Sequence, residues 1–214
     1  MSRRKLIGLL SLLISLVHAV AADEAVEPAA GNGPPNPPPA LKASVRGDDS
    51  VGGRTIHHAY VNYGTNRFSF VVPEGCHVDG SSSEKLVVVN EGYDCFIGFR
   101  VVGLRPAGIP TLNVDHCREL LLSRYPKAEI TEEYSRSIAN HDGAAFDFRW
   151  RNSSGTVQSG RVIFVPMSAG FVEFSLVTTE EKTSAGQELF HRFLLTFRTD
   201  ESGKLEVVHF AENV

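Results

Sequence analysis

The chain has 214 residues and a formal net charge of −4, with 21 lysines and arginines against 25 acids. That length suits one ordinary domain, and the near balance of charge leaves no electrostatic case for nucleic acid, which wants a basic face or stripe. A hydrophobic fraction of 42% belongs to a globular chain and excludes a disordered one.

Residues 1–21 read as a secretory signal peptide. Ser2-Arg3-Arg4-Lys5 is a basic start, Leu6 to Val17 a mostly apolar run, and Ala19-Val20-Ala21 a small-x-small cleavage site. The run is shorter than the roughly 20 residues a spanning helix needs. No later run is longer, so no transmembrane span is expected in the mature chain. The expected location is secreted or periplasmic. Residues 22–54 read as a proline-rich, disordered linker, with Pro28, Pro34, Pro35, Pro37, Pro38 and Pro39 among alanine, glycine and asparagine.

The domain is expected over 55–200. His58 to Tyr63 forms a first strand and Gly64-Thr65-Asn66 a turn. Phe68, Phe70 and Val72 alternate in a second strand, ended by Pro73-Glu74-Gly75. Leu86 to Val89 and Cys95 to Val102 pair as a hairpin through Asn90-Glu91-Gly92. Thr111 or Asn113 caps a helix on which Val114, Cys117, Leu121 and Tyr125 share a face, and Pro126 ends it. Ala128 to Ala139 is a strand. Its turn, Asn140-His141-Asp142-Gly143 with Gly143 left-handed, would set Ile138 opposite Phe146 and Tyr134 opposite Trp150.

The stretch from Ala145 to Thr178 organises the rest. Phe146, Phe148 and Trp150 alternate with Asp147, Arg149 and Arg151. Val162 and Phe164 alternate with Arg161, Ile163 and Val165, and Val172, Phe174 and Leu176 with Glu173 and Ser175. Period two predicts an antiparallel meander with an apolar face and a wet face. Through the Asn152–Gly155 turn, Arg149 should face Ser159 and Asp147 should face Arg161, an opposite-charge pair. A turn at Met167–Gly170 should set Phe164 beside Val172. A last helix, Ser184 to Arg198, starts with capping-box spacing at Ser184 and Gln187. Its stripe of Leu189, Phe190, Phe193, Leu194 and Phe197 would cover the apolar face. Residues 201–214 are a tail or a short edge strand.

This order resembles the PsbP-like alpha-beta sandwich proteins, including small exported bacterial members. The resemblance rests on Phe68-Ser69-Phe70-Val71-Val72-Pro73-Glu74-Gly75, on the hairpin and helix that follow, on the turn at His141-Asp142-Gly143, and on Phe193-Leu194-Leu195-Thr196-Phe197-Arg198. It covers roughly Tyr60 to Arg198. It implies an α+β domain: a curved antiparallel sheet of about six to eight strands with two main helices packed on one side. It also implies an accessory or binding role, mostly without catalysis.

Arg149, Arg151 and Arg161 share the wet face in this register. They form either a patch for an unknown protein or small anionic ligand or a plain solvated surface balanced by nearby acids. Of the three cysteines, Cys95 and Cys117 are the candidate disulfide in an oxidising compartment. Three buried thiols, Cys76 included, are the alternative. The eight histidines have no metal-ligand spacing, so no metal is expected. No Gly-x-Ser-x-Gly elbow or phosphate-cradling glycine loop occurs, so neither a catalytic residue nor a cofactor is expected. The functional expectation is an exported, non-enzymatic accessory or binding protein of the cell envelope. The alternative is an exported enzyme or thiol-redox protein using a cysteine with a nearby histidine.

Overall fold

The computed structural model describes residues 39–51, 54–103, 113–167 and 170–200. The expected leader, most of the spacer and the C-terminal tail lie outside the described residues. In chain order the elements are β1 (Leu41–Val51), β2 (Arg54–Tyr63), β3 (Asn66–Val71), β4 (His77–Asp79), β5 (Leu86–Asn90) and β6 (Cys95–Gly103). Then come α1 (Val114–Arg124), β7 (Glu129–Ile138), β8 (His141–Arg151), β9 (Val157–Met167), β10 (Gly170–Thr179), α2 (Thr183–Thr196) and β11 (Arg198–Asp200).

Where one sheet was expected, the strands divide into two. A four-stranded sheet runs β1-β2-β3-β11 and a seven-stranded sheet runs β4-β5-β6-β10-β9-β8-β7. The first strand lies inside the segment read as linker. Leu41 pairs with Tyr63 and Val45 with Ala59. Serine, glycine and aspartate blur the alternation of β1, and only pairing with β2 makes it a strand.

The hairpins explain most of the large sheet. Asn152 Oδ1 accepts from the backbone N–H of Ser154 at 3.1 Å and of Thr156 at 2.9 Å, and Gly155 takes φ +81°. That side-chain turn fixes the β8–β9 register as expected, with Asp147 opposite Arg161 and Arg149 opposite Ser159. The β7–β8 hairpin differs. Ala139 and Asn140 both have positive φ, 48° and 66°, the two-residue turn whose twist suits a hairpin. Ile138 therefore pairs with His141 and Tyr134 with Ala145, not with Phe146 and Trp150. Gly143 sits within β8, where an added Cβ would come 2.5 Å from the Phe164 carbonyl oxygen. Close approach requires the glycine there, not a left-handed turn.

The β9–β10 pairing is one residue off the expected register. Phe164 stands opposite Glu173 and Val165 opposite Val172. Such a slip exchanges faces. Phe174 and Leu176 thus join Ile163 and Val165 on one side, while Glu173 and Ser175 join Phe164 and Val162 on the other. Alternation misled here because both faces of β9 are covered, so its two sets of side chains are both buried.

Two packing clusters result, one on each face of the large sheet. In the first, Phe68 and Phe70 of the small sheet and the α2 stripe meet Phe99, Ile163, Phe174 and Leu176. Ring centroids lie 4.7 Å apart for Phe70–Phe193 and for Phe174–Phe197, edge to face. In the second, Cys117 and Leu121 of α1 pack on Phe146, Phe148, Val162 and Phe164. Tyr125 closes that cluster at 4.7 Å from Phe148 and 4.8 Å from Trp150. The helices therefore lie on opposite faces, not on one side. The helix covering Phe146, Phe148 and Trp150 is α1, not α2. Asn113 caps α1, its Oδ1 accepting from Asp115 N and His116 N at 3.0 and 3.2 Å. The capping-box spacing of Ser184 is unused, because α2 begins at Thr183, whose hydroxyl donates to Glu180 O at 2.8 Å.

Candidate functional site: a cationic cluster around buried Glu173

The three arginines read from the sequence do share one face, and each has a partner. Arg161 donates twice to Asp147, both at 2.6 Å, and its guanidinium lies 5.5 Å from the Tyr134 ring centroid. Arg149 is 3.4 Å from Glu129 and 3.9 Å from Glu180. Arg151 donates to Gly155 O at 3.1 Å. The bidentate pair neutralises Arg161, whereas among the described residues Arg151 donates only to a backbone carbonyl and Arg149 makes longer, exposed contacts.

Cys95 and Cys117 are not brought together. Cys95 belongs to the first cluster and Cys117 to the second, across the sheet, and both are free thiols. Burial pushes Cys95 up to about 12 and Cys117 up to about 11. Half-buried Cys76 is also raised by burial, partly offset by the Asn90 amide. Thiol chemistry needs thiolate, and these surroundings favour the thiol. Among the described residues, no three His, Cys, Asp or Glu side chains converge as a metal site, and no helix is long and apolar enough to cross a membrane.

A different group of charged side chains converges beside α1. On β10, Glu173 stands opposite Arg100 of β6, and Ser175 opposite Gly98. Leu86 pairs with Phe99, so Lys85, one residue earlier, continues that row beside Arg100. The end of α1 brings Arg124 over the same row, where its Nη1 forms an ion pair with Glu173 Oε2. Gly98 makes room for the lysine stem, since a Cβ there would stand 2.6 Å from Lys85 Cε and would also strike Ser175 Oγ.

Glu173 is only 4% exposed. Three cations thus gather beside one buried carboxylate, which pairs with Arg124, while the exposed Glu84 carboxylate acts on Arg100, so positive charge is in excess. Their mutual strain shows in their acidities. Lys85 falls to about 8, through burial first and then the charges of Arg100 and Arg124. Arg124 falls to about 10, through burial first and then Arg100. Burial lowers Arg100 as well. Tyr125, raised by burial, borders both guanidiniums. Among the described residues Arg100 Nε is buried without a hydrogen-bond partner, and Glu173 Oε2 has none of proper direction despite its ion pair. Burying unpaired charge is costly, and perturbed groups held together in this way mark a candidate functional site.

Sequence reasoning missed this cluster. Alternation along β10 assigns Glu173 and Ser175 to the wet face, because it shows a second face without showing what covers it. The available signal was Arg100, a charge inside the apolar run from Cys95 to Val102. The pairing of β6 with β10, and the reach of Arg124, exist only in three dimensions.

Fold and site together define an antiparallel α+β domain with a partly buried cationic cluster around buried Glu173 on one sheet face. No family model and no curated protein matches the chain. Solved structures similar to it include a cyanobacterial PsbP (CyanoP) from Synechocystis sp. PCC 6803, at 12% identity and a TM-score of 0.47, over 79% of this chain and 98% of that one. They also include LpqN of Mycobacterium tuberculosis, described as involved in cell envelope biogenesis, at 9% identity and a TM-score of 0.45, over 74% and 91%. A protein of Bacteroides thetaiotaomicron VPI-5482 is similar at 13% identity and a TM-score of 0.46, over 64% of this chain, which spans 46% of that longer one. These likenesses concern the course of the chain and say nothing of ligand or partner.

Proposed function

We propose that this chain is an exported, non-enzymatic binding protein of the cell envelope that holds a small anion at the cluster of Lys85, Arg100 and Arg124. One observation carries the site: Lys85 and Arg124 gather on the row of Arg100 and buried Glu173, while Arg100 Nε has no hydrogen-bond partner among the described residues. An anion would supply the missing charge and the missing acceptor. Guanidinium forks suit carboxylate or phosphate oxygens. Export is supported by the basic start, apolar run and small-x-small site of residues 2–21. The thiol-redox reading is weakened by burial, which raises all three cysteines.

The test is calorimetric titration of the full chain with phosphate and small carboxylates at low salt. The expected result is binding tighter than about 1 mM, abolished in Arg100→Met. Absence of binding by every anion, or binding that Arg100→Met leaves unchanged, overturns the site. Turnover that depends on one side chain of the cluster overturns the non-enzymatic role.

A further inference from the structure

Resting on the reading of the cluster as an anion site, we propose that its ligand is a protonated tetrahedral oxyanion of the hydrogen phosphate type, and that Glu173 selects it against sulfate. Three features of the cluster lead there.

The first is direction. Lys85 arrives from the segment before β5, Arg100 from β6 and Arg124 from the end of α1. Lys85 continues the row of Arg100 and Glu173, and Arg124 reaches Glu173 from above, so the three groups meet beside one carboxylate. Donors from three separate elements suit four oxygens directed to the corners of a tetrahedron better than the two coplanar oxygens of a carboxylate. The second feature is charge. With Glu84 and Glu173 set against Lys85, Arg100 and Arg124, positive charge remains in excess and suits an anion.

The third feature is Glu173 itself. An ionised carboxylate only accepts hydrogen bonds. Glu173 is only 4% exposed, and its Oε2, although ion-paired with Arg124 Nη1, has no properly directed donor among the described residues. Beside a bare dianion it would repel. Beside hydrogen phosphate it accepts the ligand's O–H, while the phosphoryl oxygens accept from Arg100 Nε and the Lys85 amine. Sulfate has the same shape and the same charge at neutral pH but no proton to donate. It would set an anionic oxygen against a buried carboxylate oxygen. A site built to bond an O–H rejects the analogue that lacks it strongly, and like-charge contact adds to the discrimination.

The experiment compares inorganic phosphate, sulfate and succinate on the full chain at neutral pH, by calorimetry and by the shift in thermal midpoint. Phosphate is expected to bind at least about a hundredfold tighter than sulfate. Glu173→Gln places an amide that can donate, so the preference should move toward sulfate. Should that variant not fold, the phosphate-to-sulfate ratio of the unaltered chain decides alone. Equal binding of sulfate and phosphate overturns the selection by Glu173. Binding of succinate but of neither tetrahedral ion overturns this inference and leaves the anion site standing. Binding of none of the three overturns both.

Discussion

Replacing Lys85 by methionine should make the ligand-free protein more stable, because that amine is held where a positive charge is unwelcome. Methionine keeps the length of the stem that passes over Gly98 and removes the charge facing Arg100 and Arg124. Burial and those guanidiniums lower the amine from 10.5 to about 8. At about 1.4 kcal/mol per tenfold change in affinity for the proton, keeping it charged costs roughly 3 kcal/mol. Lys85 is only partly buried, so solvent screening reduces that to about 1–3 kcal/mol. The sign follows from linkage. Below pH 8 the lysine is charged in both states, and the full cost falls on the folded one. Between about 8 and 10.5 the unfolded chain binds more protons, so stability rises with pH. Above that window the cost has gone. Urea unfolding of both proteins near pH 7 and near pH 10 measures this: the variant leads by about 1–3 kcal/mol at the lower pH and loses its lead at the higher. A variant less stable than the parent near pH 7, or a difference independent of pH, refutes the reasoning.

Gly143→Ala tests the packing of β8. Its Cβ would meet the Phe164 carbonyl oxygen at 2.5 Å and Val165 Cγ2 at 3.0 Å. A backbone atom cannot move aside cheaply, so the cost should be about 1–3 kcal/mol, read as a lower urea midpoint at unchanged slope; an unchanged midpoint contradicts the close approach. The cysteines give a second check. Cys95 and Cys117 should resist a thiol reagent in the native protein, Cys76 should react before them, and all three should react after unfolding without reductant. Rapid native labelling of Cys95 or Cys117 would contradict their burial, and a single reactive thiol after unfolding would reveal an oxidised pair.

Local chemistry was legible wherever neighbours in sequence are neighbours in space. The Asn152 turn, the Asp147–Arg161 pair, the Asn113 cap and the α2 stripe are all contacts within or between adjacent elements. Two hairpin registers, and the contacts between strands distant along the chain, were not legible. Asn140 is an ordinary turn residue, but the left-handed Ala139 before it is not announced by its type, and the two-residue turn they form sets the β7–β8 register. Met167 pairs with Gly170 rather than leaving a longer turn, and that single step exchanged the faces of β10. The apolar set of β9 could not reveal it, since Val162, Ile163, Phe164 and Val165 are all buried.

By itself the sequence determined that the chain is an α+β domain rich in antiparallel strands, where its two helices and most of its strands lie, and which arginines line one face. Those follow from side-chain period and turn chemistry, which act over a few residues. Only the tertiary structure decided that two sheets form, that the helices cover opposite faces, and that Lys85, Arg100 and Arg124 gather around Glu173. The physical reason is that a strand's alternation divides its side chains into two sets but carries no label for what will cover each. In this protein α1 covers part of the second face, and its terminal arginine closes over a carboxylate that the sequence alone had left in water.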